Sequence, residues 1–254
     1  MELFGVINAS PDSLHTESIV HDADTALARA AWLFANGADH LDLGGQGSTD
    51  IAAVVPWEQE WERLAPIVPA LASLGGDLSI DTWKPEVARR ALAAGANILN
   101  AADGLQGDEM LAVAAEFGCP IVLPFLNGPD PRHLRHVVGD PVEALLEWFE
   151  QALARADRFG IRKRCILDPG TGFAPPSWEW ADRYRFQKIV YGRLGELRRF
   201  GLPIYIALPW RDTPQHAELL EIVVHQKVDY GRCHYPDRVR QMEREIAAED
   251  RPGS

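Results

Sequence analysis

Polar residues able to do chemistry close a series of apolar runs in this sequence. Asn8 ends Leu3-Phe4-Gly5-Val6-Ile7 and is followed by Ser10-Pro11-Asp12-Ser13. Asp81 ends Leu78-Ser79-Ile80, Asn100 ends Ile98-Leu99, and Asp168 ends Cys165-Ile166-Leu167. Arg211, Arg232 and His234 follow further along. Two carboxylates and a carboxamide (Asp81, Asp168, Asn100) suit a flat heterocycle with ring N–H and amino donors beside a carbonyl acceptor. Arg232 offers a bidentate fork to phosphate oxygens, and His234 a donor whose charge depends on pH. Asn8 and Asp12 supply oxygens of the kind that hold Mg²⁺ on a diphosphate. These residue types suggest a nitrogen heterocycle and a phosphorylated group in one pocket.

They share a pocket only if the elements carrying them converge. Strand-like runs lie at about 3–8, 39–44, 77–81, 96–100, 120–126, 164–168, 203–208 and 228–233, and helical patterns fill 22–36, 57–74, 84–94, 107–117, 141–159, 180–199, 214–225 and 236–248. Asp140-Pro141 and Lys84-Pro85-Glu86 open helices with a proline in the first turn. Gly37, Gly95, Gly118, Gly160 and Gly201 stand where a left-handed residue closes a helix just before the next strand. Repeated strand–helix units imply parallel strands with helical crossovers. Their number and the chain length predict a single-domain (β/α)8 TIM barrel over 1–248, with 249–254 a frayed tail. A doubly wound open sheet is the alternative, but no G-x-G-x-x-G follows the first strand. In a barrel, the ends of the strands form the active mouth. Any one Asp or Asn there reads equally well as a helix cap. Six or more converging on one rim favour a site.

Composition narrows the partners. The 254 residues are 46% hydrophobic and carry 37 acids against 25 bases, a net charge of −12, which argues against nucleic-acid and anionic-membrane surfaces. Cys119, Cys165 and Cys233 are too few and scattered for a disulfide framework or a zinc cluster, and read as reduced thiols. No basic region precedes the first apolar run, and no apolar run nears the roughly 20 residues of a membrane span, so the expectation is a soluble cytoplasmic protein.

The segments Ile7-Asn8-Ala9-Ser10-Pro11-Asp12-Ser13, Leu41-Asp42-Leu43-Gly44-Gly45, Ser79-Ile80-Asp81-Thr82, Ile98-Leu99-Asn100, Ile166-Leu167-Asp168-Pro169-Gly170-Thr171-Gly172-Phe173 and Arg232-Cys233-His234 together resemble dihydropteroate synthase. The resemblance covers about residues 3–240 and marks a divergent member of the pterin-binding barrels. It implies transfer of a dihydropterin-methyl group from its diphosphate to p-aminobenzoate in folate biosynthesis, with Mg²⁺ and in a homodimer. It also implies roles: Asp81, Asn100 and Asp168 on the pterin; Asn8 toward Mg²⁺ and diphosphate; Arg232 and His234 on the departing diphosphate; Thr49 and Phe173 toward p-aminobenzoate. Asp81 would in addition help stabilise the developing cation.

The departures concern the second substrate. Where the family has Ser-Arg-Lys after the seventh strand, this chain has Pro209-Trp210-Arg211, so Arg211 stands for the lysine that touches both substrates. The family's Glu-Ser-Thr-Arg-Pro is Gln46-Gly47-Ser48-Thr49-Asp50 here, an acid replacing an arginine, and Tyr235 replaces an aspartate. The stretch between the seventh and eighth strands is short. A working synthase, a pterin-binding paralogue with another amine acceptor or no synthase activity, and a folate-dependent methyltransferase domain are the competing readings. Retention of Arg232 and His234 counts against the last. Cys233 should point away from its two neighbours into packing. His15, His21, His133, His136 and His216 read as loop or surface residues. Trp57, Trp61, Trp148, Trp178 and Trp180 read as packing, and Trp210 as a ring at the mouth that could stack on a ligand or on Arg211.

Overall fold

The structure, a computed structural model, describes residues 1–12, 15–47 and 53–249. In chain order it contains β1 (Glu2–Asn8), α1 (Ala23–Ala35), β2 (His40–Gly44), α2 (Trp57–Leu64), α3 (Ile67–Ala72), β3 (Leu78–Thr82), α4 (Pro85–Ala93), β4 (Ile98–Ala101), α5 (Glu109–Phe117), β5 (Ile121–Pro124), α6 (Pro141–Arg158), β6 (Cys165–Asp168), α7 (Trp180–Gly192), β7 (Tyr205–Ala207), α8 (Pro214–His225), β8 (Tyr230–Cys233) and α9 (Pro236–Glu249). The five glycines expected to close helices all have positive φ, from 63° at Gly118 to 116° at Gly95.

Two expected helices are divided. The pattern over 57–74 breaks between α2 and α3, where Pro66 takes the N-cap position of α3; proline has no N–H for a helical bond and crowds the preceding turn. The pattern over 180–199 runs as α7 to Gly192 and continues as a 3-10 turn over Leu194–Phe200. Gly192 and Gly195 weaken helical propagation there. Of the tail expected to fray, 249–254, Glu249 is still the last residue of α9, and 250–254 lie outside the described residues.

The strands pair in parallel in the order β6-β5-β4-β3-β2-β1-β8-β7. A parallel bridge between Leu167 and Ile204, with the Leu167 N–H donating to the Pro203 carbonyl at 2.8 Å, joins β6 to β7 and closes the circle. The chain is a (β/α)8 barrel.

Strand alternation then creates two cores. Leu3, Ile7, Leu41, Leu43, Ile80, Leu99, Leu123, Leu167, Ile206 and Cys233 belong to the large cluster shared with the helices. Phe4, Ile98, Val122, Ile166 and Tyr205, with Tyr230 against them, form a separate cluster that plugs the barrel interior. Two residues on from Ile98, Ile166 and Tyr230 stand Asn100, Asp168 and Arg232. The period of 2 that buries the plug therefore sets these three on the same inner face, one step nearer the C-terminal mouth. Register aligns the rim, because Asn8 pairs with Gly44, Gly44 with Asp81 and Asp81 with Asn100.

Phe4 is almost fully buried and meets Tyr205 edge-on at 5.5 Å, so Phe4→Ala should cost about 3–5 kcal/mol through the cavity left under the mouth. Urea unfolding checks this: the midpoint should fall at an unchanged slope, and a loss below ~1 kcal/mol would show that the plug collapses around the gap.

Candidate active site

Arg232 crosses the base of the mouth. Its Nε donates to Asp42 on β2, and its Nη2 donates to Asp81 Oδ2 on β3 at 3.1 Å. Asp42 is completely buried, and neither its Oδ1 nor the Ser79 hydroxyl has a hydrogen-bond partner among the described residues. Burial alone would make the guanidinium easier to deprotonate, but Asp42 and Asp81 outweigh it and raise the Arg232 pKa. The arginine is permanently charged, and its Nε and Nη2 face carboxylates inside the barrel wall.

Burial pushes the Asp81 carboxyl up to about 7 despite the Arg232 charge, and it pushes Asp168 up to about 7 as well. Asp168 Oδ1 accepts the Gly170 N–H at 2.8 Å, which fixes the carboxyl and opposes part of that shift. Only glycine suits position 170: its φ is +69°, and a Cβ there would lie 1.9 Å from the Phe125 carbonyl oxygen. Asn100 is buried beside Asp81 in the register. Two carboxyls that ionise near neutrality and an amide thus sit together under the mouth, ready to accept N–H donors.

One wall of the mouth is built on β1 and β8. Asn8 Nδ2 donates to Ser18 Oγ at 2.7 Å, and that hydroxyl donates onward to the His15 carbonyl at 2.7 Å. The chain of donors orients the amide and leaves Asn8 Oδ1 as its acceptor. The His234 ring stacks on His15 at 4.2 Å and meets Trp210 edge-on at 5.7 Å. Burial, reinforced by the Arg232 charge, lowers its pKa to about 2, so this imidazole is neutral. Gln46, just after β2, is held by Lys84: Lys84 Nζ donates to Gln46 Oε1 at 2.5 Å and to Glu60 Oε2 at 2.6 Å, and Thr82 donates to Glu60 Oε1 at 2.8 Å.

The adjoining wall comes from α7, the stretch after β7 and the start of α8. Trp180, Arg183, Gln187, Trp210, Arg211 and His216 line it, within a mouth of about 1220 Å³ that includes its open solvent side. His216 stacks on Trp180 at 4.7 Å, and its Nδ1 accepts the Arg211 backbone N–H at 3.2 Å. Burial, then the charges of Arg211 and Arg183, lower its pKa to about 4.

Asn8, Asp81, Arg211, Arg232 and His234 all line this mouth, while Asn100 and Asp168 lie buried at its floor. Phe173 lines an adjoining apolar pocket with Phe125, Leu134 and Trp178 instead. Thr49 and Asp50 lie outside the described residues. Three surface or packing readings need correction. His15 and His216 are buried and ring-stacked at the mouth, because each finds an aromatic partner there, and Trp180 lines the mouth instead of the core. Asp42, Arg183 and Gln187 join the site without a role expected from the sequence. Asp42 was detectable as an acid between two leucines at an inward strand position. Trp180, Arg183 and Gln187 were detectable as one helix face at i, i+3 and i+7.

A barrel with a polar floor, acidic at its base and cationic on one side of its mouth, defines a small-molecule enzyme site of the (β/α)8 class. The family model described as "Pterin binding enzyme" matches residues 4–207, and the chain belongs to that family. It is 34% identical over 209 residues to the dihydropteroate synthase of Synechocystis sp., covering 80% of this chain and 70% of that protein. It is also 34% identical over 206 residues to a probable bifunctional folylpolyglutamate synthase/dihydropteroate synthase of Haloferax volcanii, covering 80% of this chain. The chain spans about a quarter of the length of such bifunctional relatives, 24% in that case. Among solved structures it superimposes on the Yersinia pestis dihydropteroate synthase in a sulfonamide drug complex with a TM-score of 0.84 and 27% identity, covering 98% of this chain and 94% of that one.

The raised Asp168 pKa has a stability consequence. A carboxyl whose pKa rises from 3.8 unfolded to about 7 folded favours the fold most below pH 3.8, and that advantage is lost as pH rises through 7. Asp168→Asn keeps the acceptor for Gly170 and removes the charge. It should therefore gain on the wild type between pH 4 and 7 and end on the order of 2–4 kcal/mol more stable at pH 8. Thermal or urea unfolding across that range checks it; an equal difference at pH 4 and pH 8 would mean Asp168 is not held neutral by burial.

Proposed function

We propose that the protein is a cytoplasmic dihydropteroate synthase. It would join the dihydropterin-methyl group of a dihydropterin diphosphate to the amine of p-aminobenzoate and release diphosphate. The observation that carries this reading is a pair of carboxyls with raised pKa, the half-buried Asp81 and the buried Asp168, with the buried Asn100 beside them at the floor of a barrel mouth. A guanidine-like heterocycle edge presents adjacent N–H donors, and an ionised carboxylate accepts both where water cannot compete.

In the proposed reaction the C–O bond to diphosphate breaks and its electron pair leaves with the diphosphate. The amine nitrogen then bonds to the freed methylene carbon and gives up one proton. Asp81, once ionised, would stabilise the positive charge that develops on the pterin-methyl group, with Arg232 holding its carboxyl in place. No nucleophile of the chain is needed. Arg232 holds Asp81 and Asp42 in place, and the neutral His234 offers an N–H to the leaving group.

The donor set fits Mg²⁺ only with substrate oxygens completing it. Asn8 Oδ1 and the Asp12 carboxylate line the mouth, and no cluster of three His, Cys, Asp or Glu able to hold a metal occurs among the described residues. Magnesium is ordinarily held by one or two protein oxygens plus phosphates. Bound there, it would neutralise charge on the departing diphosphate. No helix among the described residues is long and apolar enough to cross a membrane.

The direct assay incubates the protein with the dihydropterin diphosphate, Mg²⁺ and p-aminobenzoate and follows dihydropteroate by chromatography. The proposal expects aniline-dependent product. Diphosphate release or tight pterin binding without dihydropteroate would assign the chain to a paralogue with another acceptor. Arg211→Lys should keep or raise turnover if Arg211 serves as the family's lysine does, and loss of all turnover in that variant would show that the guanidinium has a different task.

A further inference from the structure

Among the described residues, Arg183 is a cation with no acid paired to it. It lies on α7, projecting into the mouth. Its Nη2 donates to the Gly172 carbonyl at 2.8 Å, its Nε is buried without a hydrogen-bond partner, and it forms no ion pair among the described residues. Arg211, across the same wall, also forms no ion pair among the described residues, and its guanidinium lies over Trp210 at 5.4 Å. Burial, reinforced by the Arg211 charge, lowers the Arg183 pKa. In a chain with 37 acids and 25 bases, most arginines elsewhere find carboxylates; these two share one wall of the cavity. Bringing like charges together in a partly desolvated wall costs stability unless an anion joins them.

The surroundings specify that anion. Trp180 stacked on His216, with Trp210, Leu208 and Pro209, gives the wall flat aromatic and apolar surfaces. His216 is neutral and adds no charge. Gln187, one helical turn from Arg183, also lines the cavity, and its buried Oε1 is an acceptor with no hydrogen-bond partner among the described residues. An aryl ring bearing a carboxylate matches this combination, with the ring against the aromatic surfaces and the carboxylate against the guanidiniums. Meanwhile the position where the family pattern carries an arginine, in the loop after β2, is Asp50 here.

We propose that Arg183 is the specificity-determining residue for the acceptor substrate, reading the carboxylate of an aromatic amino acid of the p-aminobenzoate type in place of the cation lost at Asp50. The inference rests on the synthase reading for the identity of the site, but its test does not need turnover. Arg183 binds this group from α7, a helix to which the sequence resemblance assigns nothing.

Titration of the tryptophan fluorescence of the full chain, with a dihydropterin lacking the diphosphate leaving group, inorganic diphosphate and Mg²⁺ present so that no turnover occurs, compares p-aminobenzoate with its uncharged counterpart 4-aminobenzamide. The wild type should prefer the carboxylate by about 10- to 100-fold, as for a hydrogen bond to a charged group. Arg183→Gln should bring the ratio to near 1, and Arg183→Lys should restore part of it. Because Arg183 also holds the Gly172 carbonyl, a purely structural loss would weaken both ligands alike and leave the ratio unchanged. That result overturns the inference, as does a wild type that binds acid and amide equally. Charge discrimination that vanishes in Arg183→Gln, in a protein that makes no dihydropteroate, would sustain this inference while refuting the synthase reading.

Discussion

The ion pair of Arg232 with Asp42 and Asp81 sets the terms for everything above it. It sits at the boundary between an apolar plug and a polar mouth, where three charged groups from three strands meet inside the barrel wall. Buried ion pairs rarely add net stability, since desolvation offsets most of the attraction. Removing one partner is nonetheless costly, because the remaining charge is left stranded. This arrangement therefore fixes the geometry of β2, β3 and β8 relative to one another more than it strengthens the fold.

With the charges locked in place, the remaining acids are forced into an unusual state. Among the described residues Asp168 has no cation bonded to it; its Oδ1 accepts the Gly170 N–H, and burial raises its pKa to about 7. Asp81 shares Arg232 with Asp42 and is pushed the same way. A folded chain seldom gains by burying carboxyls like these. Their placement makes sense as a receptor whose hydrogen-bond demand is met when a ligand brings N–H donors. The adjoining wall holds the complementary imbalance, cationic where the floor is acidic. A ligand pair carrying donors at one end and a carboxylate at the other would relieve both.

Much of this was legible from the residues. Strand ends in Asn and Asp, helix-closing glycines and the repeated strand–helix rhythm led to a barrel, and the inner-face positions of Asn100, Asp168 and Arg232 follow from a period of 2. Two helices broke where local chemistry, Pro66 and the Gly192–Gly195 pair, overruled a long amphipathic pattern. What remained hidden depends on tertiary proximity. That Arg232 bonds Asp42 as well as Asp81 follows from barrel curvature, which brings β2, β3 and β8 together across the interior. That His15 stacks on His234, and His216 on Trp180, follows from loops folding back over the rim. Arg183 was concealed because a charged residue on an amphipathic helix ordinarily faces solvent, and here the outer helix ends above an open mouth.

If the raised carboxyls of Asp81 and Asp168 form the pterin receptor, calorimetric titration with a dihydropterin between pH 6 and 8, in two buffers of different ionisation enthalpy, will show it. Binding should release protons to the buffer, and affinity should fall below pH 7 by up to about tenfold per unit for each carboxyl that must ionise. Affinity independent of pH, with heats identical in both buffers, would contradict it, because the ligand would then be held by groups that do not change charge.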